Sequence, residues 1–177
     1  MLVERDLNES DIPLLALIDR TEQIDECYRL EHGELVLYAA HHDMRGWPEG
    51  EAEQDALELH ACWLRGGWLH GVFAGPTLLA AAVVDNRVIH NQGLRMHQLK
   101  FLHVSHSGRG HGLGGRLLAL ACAHGVTLGA QALYISATES RNTVDFYLHH
   151  GCRLLKQPDS ELYHREPNDI HLYRPLP

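Results

Sequence analysis

The sequence predicts an α/β (α+β) protein, built on a mixed, mostly antiparallel central sheet with helices on both faces. In the first half of the chain, two strand patterns at 68–74 and 78–84 are joined through Gly75-Pro76, which indicates an antiparallel pair. In the second half, strand and helix patterns alternate as a β-α-β-α-β unit. With 177 residues, 45% of them hydrophobic, the chain is long enough to bury its own core, and we expect one domain over 1–177.

Alternation and capping signals give the other elements of the first half. Residues 24–38 alternate on either side of His32-Gly33, which is a hairpin signal. Asn8 offers an N-cap to the helix that follows it, and Gly66-Gly67 offers an end to a longer one. The predicted elements are a strand over 2–6, a helix from Asn8 to Ile18, the hairpin over 24–38 and a helix over 51–65.

Periodicity also gives the elements of the second half. An alternating apolar run ends near Ser105, and an amphipathic run begins at Leu113. We expect Gly125 to end the helix that this run forms. The predicted elements are a strand over 99–105, a helix over 113–124, a strand over 133–138, a helix over 142–149, a strand over 152–155 and a last hairpin formed by 162–165 and 171–174.

Composition excludes several classes of partner. The formal net charge is −8, and nucleic acids and anionic membranes are bound through basic patches, so we expect neither as a partner. No apolar run approaches the roughly 18 residues of a membrane span. The charged start of the chain does not look like a signal peptide. The four cysteines form no Cys-x-x-Cys pair, which favours a reducing compartment, and we predict a cytoplasmic protein.

The 15 histidines raise the question of a metal site. The densest spots are His41-His42-Asp43 and His149-His150, but adjacent helical residues point about 100° apart and do not converge on one ion. No His-x-x-x-His or His-Glu-x-x-His spacing occurs. We therefore predict that no metal is bound.

A glycine-rich segment between the strand that ends near Ser105 and the helix that begins at Leu113 indicates an anion site. The first N–H groups of a helix are unpaired and carry partial positive charge, and glycines let a bulky anion approach them. Gly114-Gly115-Arg116 lacks the Gly-Lys-Ser/Thr of a nucleotide-triphosphate loop. Residues 110–115 nearly match Gly-x-Gly-x-x-Gly, but Glu139 lies too far on for the acidic residue of a dinucleotide site. A dinucleotide oxidoreductase remains the weaker alternative.

Two further patterns carry a family resemblance. Arg109-x-x-Gly112-x-Gly114 resembles the pyrophosphate loop of the GNAT superfamily of N-acetyltransferases. Downstream, the segment from Asn142 to Arg153 is similar to that family's Asn-x-x-x-Phe-Tyr-x-x-x-Gly-Phe-Arg pattern, with a cysteine in place of the second phenylalanine. The match covers the chain from about residue 99 to about residue 155. An alternative without a ligand is a plain glycine-rich turn between strand and helix.

The resemblance implies an N-acetyltransferase with a GNAT-like sheet, in which a splayed strand pair holds acyl-coenzyme A. The reaction would transfer an acetyl group from acetyl-coenzyme A to a primary amine by direct attack in a ternary complex. Residues 96–177 would form the half that binds acyl-coenzyme A, and residues 1–95 the acceptor half. The implied coenzyme A contacts are Leu102, His103, Val104, Arg109, Gly110, His111, Gly112, Leu113, Gly114, Gly115 and Asn142.

The resemblance also suggests catalytic residues. Tyr147 stands where the family places a tyrosine beside the coenzyme A sulfur, so it is a candidate general acid. Glu139, at the end of a predicted strand, is a candidate general base, and His103 is another. Each has an alternative: Tyr147 as an aromatic packing residue, and Glu139 and His103 as solvated side chains. Asn142 is equally compatible with a helix N-cap.

The acceptor implied by the family is an amine-bearing small molecule or peptide. The acid-rich segment 19–34 is a candidate for selecting it, with a solvated helix end as the alternative. The family more often has a helix where the hairpin pattern of 24–38 occurs, so a hairpin and a helix are both open alternatives for this segment. A homodimer is possible, since many members dimerise. The rival function is a non-catalytic sensor or interaction module that binds acyl-coenzyme A on the same scaffold.

Overall fold

The computed structural model describes residues 1–177 and contains nine strands. Seven form one sheet with the order β1-β4-β5-β6-β7-β9-β8, and β2 and β3 form a separate two-stranded sheet. The strands are β1 Leu2–Asp6, β2 Glu22–Glu31, β3 Glu34–Met44, β4 Trp68–Ala74, β5 Thr77–Asn91, β6 Leu94–Val104, β7 Ala132–Ala137, β8 Arg153–Leu154 and β9 Ile170–Pro175.

Five α-helices and two single 3-10 turns complete the chain. The helices are α1 Ile12–Leu15, α2 Glu51–Leu64, α3 Leu113–Thr127, α4 Arg141–His149 and α5 Ser160–Arg165. The 3-10 turns cover Glu9–Asp11, just before α1, and His106–Gly108, just after β6. None of these helices is long and apolar enough to span a bilayer.

The strand register confirms a mixed, mostly antiparallel sheet. Antiparallel pairs join β1 to β4, β4 to β5, β7 to β9 and β8 to β9. The strands β6 and β7 run parallel, and their register ends at the pair Gln98 and Tyr134. Beyond that pair, β6 continues to Val104 without a partner in β7. The two strands therefore stop pairing part way along their length, as the predicted splayed pair requires.

The chain divides into two compact units that alternate along the sequence. The first unit contains 1–22, 44–86 and 99–124, and the second contains 23–43, 87–98 and 125–177. The core of the first unit includes Leu15, Leu59, Leu69 and Phe101. The core of the second includes Met96, Ala132, Tyr134 and Leu155. The single domain expected over 1–177 stays a prediction.

Local signals in the sequence explain two elements of the first half. The two turn residues of the β2–β3 hairpin, His32 and Gly33, have φ values of 52° and 82°, as a tight two-residue hairpin turn requires. The hairpin is therefore confirmed and the alternative helix is not. Asn8 forms a capping box with Asp11, which confirms it as a cap, although α1 ends at Leu15 rather than Ile18.

The prediction that Gly125 ends a helix is wrong, because α3 continues through it to Thr127. A Cβ at Gly125 would lie 3.0 Å from Leu133 and 2.9 Å from Leu176. Gly125 therefore does not end the helix. It allows the helix to pack closely against Leu133 and Leu176. The left-handed residue after α3 is Gly129, with φ of 70°.

The predicted last hairpin is also wrong. Residues 160–165 form α5, which begins where the Asp159 carboxylate accepts hydrogen bonds from the N–H groups of Glu161 and Leu162. Only the second segment, Ile170–Pro175, is a strand, and it pairs with β7 and β8. The N-cap at Asp159 favours a helix here, although the short alternating pattern of residues 162–165 is typical of a strand.

Strands β5 and β6 form a long hairpin that the sequence patterns do not predict. Strand β5 extends to Asn91 and β6 begins at Leu94, well beyond the predicted 78–84 and 99–105. The two strands are joined by Gln92 and Gly93, with φ values of 50° and 75°. Polar residues such as Asp85 interrupt the apolar run of β5. Asp85 is nevertheless buried, and its carboxylate accepts two hydrogen bonds from Arg65.

Candidate functional site

The glycine-rich loop leaves the end of β6 through the 3-10 turn His106–Gly108 and leads into α3. Gly110 and Gly112 have φ values of 76° and 77°, in the left-handed region that glycine adopts without strain. A Cβ built on either residue would meet no heavy atom within 4 Å. Glycine is therefore needed for the backbone conformation, and the space beside these two residues is open.

The start of α3 presents several N–H groups that the helix itself does not use. The first hydrogen bond of the helix joins the Arg116 N–H to the Gly112 carbonyl at 3.0 Å. The N–H groups of residues 113–115 precede that bond and have no acceptor within the helix. The Arg109 N–H already donates to the His106 carbonyl at 3.3 Å, so the candidate anion site is the stretch 110–115. The positive end of the 15-residue helix adds to its attraction for an anion.

The Arg109 side chain holds the loop in place. Its Nε donates to the Val104 carbonyl at 3.1 Å, and one terminal nitrogen donates to the Thr21 carbonyl at 3.0 Å. The chain before β2 also contacts the loop through Asp19, whose N–H donates to Ser105 Oγ and whose carbonyl accepts from the His106 N–H. Arg109 is therefore positioned as a clamp for the loop, and its guanidinium is engaged with backbone carbonyls.

An Arg109→Lys variant is expected to bind coenzyme A about tenfold more weakly, because one ammonium group cannot bridge two carbonyls in the way that the planar guanidinium does. Isothermal titration with coenzyme A measures the effect. Arg29→Lys is the matched control, since Arg29 is exposed and contacts Glu31 and the Tyr38 ring, both within the β2–β3 hairpin. Equal affinity of the Arg109→Lys variant and the unchanged protein would contradict the role of the clamp.

The last residues of β6 are half-buried. Leu102, His103 and Val104 all follow the point where pairing with β7 ends. The His103 ring packs edge-on against Phe101, with 4.5 Å between centroids. Burial, with the positive charges of Arg20 and Arg109, lowers the pKa of His103 to about 3. Such an imidazole is neutral and a poor proton acceptor at pH 7, which disfavours His103 as the general base.

The turn before α4 places Glu139 and Asn142. The helix is capped by Ser140, whose hydroxyl accepts from the Thr143 N–H, so the N-cap interpretation of Asn142 is wrong. Asn142 is the exposed second residue of α4. Glu139 is half-buried, and its carbonyl accepts from the Tyr28 N–H at 2.8 Å. This hydrogen bond from strand β2 holds the turn that contains Glu139 and leads to Asn142.

Tyr147 is a buried residue of α4. Its ring packs edge-on against Phe146, with 5.1 Å between centroids. Burial above all, together with Cys152 and Asp169, raises the pKa of the Tyr147 phenol above its usual value of 10. The hydroxyl therefore stays protonated at neutral pH and is able to donate a proton.

The acidic segment 19–34 is largely engaged within the protein. Glu26 forms an ion pair with Arg141 at 2.5 Å, and the Tyr28 hydroxyl donates to Asp145 at 2.8 Å. Both contacts hold β2 against α4. The loop 109–115 and residues 102–104 belong to the first unit, whereas Glu139, Asn142 and Tyr147 belong to the second. Sequence reasoning missed the clamp by Arg109, because Thr21 lies far from it in the chain.

Comparison with known proteins rests on structure. No family model matches the sequence, and no curated protein sequence matches it. The structure is similar to nourseothricin acetyltransferase, with a TM-score of 0.71 and 17% identity over 99% of both chains. It is similar to a protein from Bacillus anthracis str. Ames, assigned as a streptothricin acetyltransferase and in complex with acetyl coenzyme A (TM-score 0.69, 13% identity, 100% of this chain and 99% of that one).

A GNAT-family acetyltransferase from Staphylococcus aureus Mu50 is similar over 100% of both chains, with a TM-score of 0.66 and 15% identity. Structural similarity over the full length of the chains, at sequence identities of this size, establishes the fold. The chain has the GNAT fold, and the GNAT-like sheet expected from the two sequence patterns is confirmed.

Proposed function

We propose that this protein is an N-acetyltransferase that transfers the acetyl group of acetyl-coenzyme A to a primary amine. The observation that carries the proposal is the glycine-rich loop at the start of α3, where the first N–H groups of the helix have no acceptor within it and the space beside Gly110 and Gly112 is open. The GNAT fold supports it, since similar structures include acetyltransferases and one of them is in complex with acetyl coenzyme A.

In this proposal the loop holds the pyrophosphate of coenzyme A. The N–H groups of residues 110–115 bind the phosphate oxygens, while Arg109 acts on the ligand indirectly by fixing the loop. Leu102, His103 and Val104 align the pantetheine arm through their backbone groups, and Asn142 contacts the same arm. The end of strand pairing at Gln98 supports this role, because the last residues of β6 have no partner in β7.

The proposed chemistry is direct transfer. The neutral amine nitrogen attacks the thioester carbonyl carbon, the carbon–sulfur bond breaks, and the acetyl group stays on nitrogen as an amide. Tyr147 gives its phenolic proton to the departing thiolate, which the protonated state of that buried hydroxyl favours. Glu139, directly or through water, accepts the proton that the amine loses. The proposed reaction uses no metal.

Turnover separates the proposed enzyme from its rivals. Acetyl-coenzyme A is incubated with a panel of amines, amino acids, polyamines and peptides, and free thiol and N-acetyl product are measured together. Equal amounts of both products establish acetyl transfer. Coenzyme A binding without turnover on any acceptor would favour the acyl-coenzyme A sensor. Thermal stabilisation by NAD and not by coenzyme A would favour the dinucleotide oxidoreductase.

Three further expectations remain proposals. The acceptor is an amine-bearing small molecule or a peptide. The protein works in the cytoplasm as one domain, with an acceptor half at 1–95 and a donor half at 96–177. It forms a homodimer, which light scattering at several protein concentrations tests.

A further inference from the structure

Three contacts attach the short helix α5 to the core of the second unit. None of its own side chains is buried, although Leu162 packs against that core. Before its first turn, the Asp159 N–H donates to the Tyr134 hydroxyl oxygen at 3.0 Å. After its last turn, the Glu166 carbonyl lies 3.4 Å from His171 Nε2. Both ends of α5 are therefore bound to side chains of the large sheet.

The two side chains that bind α5 also bind each other. Tyr134, on β7, and His171, on the neighbouring β9, have exposed fractions of only 0% and 2%. The Tyr134 hydroxyl lies 2.7 Å from His171 Nδ1. A continuous chain of hydrogen bonds thus runs from Asp159 through this buried pair to Glu166. We call these four residues the α5 latch; all belong to the second unit.

The α5 latch fixes the positions of its protons. A carbonyl only accepts, so the His171 nitrogen that faces the Glu166 carbonyl carries the proton, and Nδ1 is the acceptor. The Tyr134 O–H donates to Nδ1, while its oxygen accepts from the Asp159 N–H. Burial raises the pKa of Tyr134 to about 12, so the hydroxyl keeps its proton. Each of these buried groups has a partner as long as His171 is neutral.

A second proton on His171 is incompatible with this arrangement. Nδ1 changes from an acceptor to a donor, so the Tyr134 hydroxyl hydrogen loses its acceptor. An unpaired buried hydroxyl and a buried charge both cost free energy. Burial lowers the pKa of His171, and the Glu166 carbonyl and the charge of Asp159 only partly oppose this effect. Detachment of α5 would admit water to both side chains and remove both costs.

We propose that the α5 latch is a pH-sensitive device, in which neutral His171 holds the helix against the sheet and protonation of His171 releases it. Release would uncover the part of the core on which Leu162 packs. The device lies within the second unit. It does not depend on the proposed acetyl transfer, so each can be tested without the other.

Only one other titratable group of these elements is expected to change charge between pH 7.5 and pH 5.5. Apart from Tyr134, the titratable side chains on the elements packed against His171 are Tyr163 and His164 of α5, Asp159 and Glu166 at its ends, and Asp169 before β9. Phenols and carboxylates ordinarily titrate outside this range, whereas imidazoles titrate within it. The exposed His164, whose Nδ1 lies 2.7 Å from the Ser160 carbonyl, therefore requires a control.

The sign of the pH effect follows from linkage. His171 has a pKa below its usual value of 6.5 when α5 is attached, and it regains an ordinary environment when α5 is detached. The detached state therefore binds more protons, so attachment is favoured above that value and weakens as pH falls below it. For one proton, the ratio of detached to attached α5 rises about tenfold from pH 7.5 to pH 5.5.

Amide hydrogen exchange of α5 measures this ratio. The N–H groups of Tyr163 and Glu166 donate to the carbonyls of Asp159 and Leu162, and they exchange when the helix opens. Their protection factors, corrected for the intrinsic rate at each pH, should fall about tenfold between pH 7.5 and pH 5.5. Those of residues 117–121 in α3 should not change. Equal protection of α5 at both pH values in the unchanged protein would overturn the proposal.

Two variants distinguish the two histidines. His171→Asn has no titrating ring and offers a carbonyl oxygen to the Tyr134 hydroxyl, so the protection of α5 should be equal at both pH values. His164→Asn is the matched control and should keep the tenfold loss. A pH effect that survives in His171→Asn, or that disappears in His164→Asn, would assign the effect to another group and overturn the proposal.

The proton positions are tested in the unchanged protein and in one milder variant. Long-range ¹H–¹⁵N NMR of the unchanged protein at pH 7.5 should show His171 neutral and protonated on Nε2. In Tyr134→Phe, the O–H that stabilises the neutral ring is lost, so His171 should titrate at a higher pH. A proton on Nδ1 at pH 7.5, or an equal or lower titration pH in Tyr134→Phe, would contradict the latch.

Discussion

A Gly112→Val variant is expected to lose coenzyme A binding by more than about 100-fold while remaining folded. Gly112 has φ of 77°, where a β-branched residue is strained by about 1–3 kcal/mol. Relief of that strain is expected to change the backbone conformation of the loop and so to move the N–H groups of residues 110–115. The added side chain also occupies the open space beside Gly112. Isothermal titration with coenzyme A measures the loss.

Gly129 provides a matched control for backbone strain. Its φ is 70°, and a Cβ there would also meet nothing within 4 Å, but it follows the other end of α3. Gly129→Val should lose a similar amount of stability and keep its affinity for coenzyme A. Unchanged affinity in a folded Gly112→Val variant would contradict the loop as the pyrophosphate site.

Replacing Tyr147 with phenylalanine is expected to lower kcat by about 100-fold and to leave coenzyme A binding unchanged. General acid catalysis contributes about 10²–10⁴-fold, and the coenzyme A thiolate is a tolerable leaving group, so the low end applies. The ring keeps its packing against Phe146, and only the hydroxyl is lost. Single-turnover kinetics with acetyl-coenzyme A and an active amine isolate the chemical step.

The pH profile adds a second test of Tyr147. Because the pKa of its phenol is raised above 10, the acid form persists through pH 10, and Tyr147 should cause no fall in kcat below that pH. Tyr163→Phe, on the exposed α5, is the control and should retain full activity. A Tyr147→Phe enzyme with nearly unchanged single-turnover rates would assign the proton donor to water or another residue.

Local signals predicted those parts of the fold that depend on neighbours in sequence. The β2–β3 hairpin follows from His32-Gly33, because a two-residue turn with positive φ needs little beyond those two residues. The loop before α3 likewise follows from its glycines. The predicted helix end at Gly125 is wrong because the role of this glycine depends on Leu133 and Leu176. Their proximity to α3 is a tertiary contact that the local sequence does not contain.

The site was predictable where a backbone conformation defines it and unpredictable where distant partners do. The glycine spacing predicted a pyrophosphate loop at residues 109–115, and the hydrogen bond of the Arg109 N–H leaves 110–115 as the candidate stretch. The spacing did not reveal that the Arg109 guanidinium binds the carbonyl of Thr21.

The most direct test of coenzyme A binding at the loop is amide NMR of the labelled protein during titration with coenzyme A, with pantetheine as the comparison ligand. Pantetheine shares the thiol arm and lacks the pyrophosphate. The account predicts that coenzyme A shifts the amide resonances of residues 110–115 strongly and that pantetheine leaves them in place. Saturating coenzyme A that moves other amides and leaves those of residues 110–115 unchanged would contradict it.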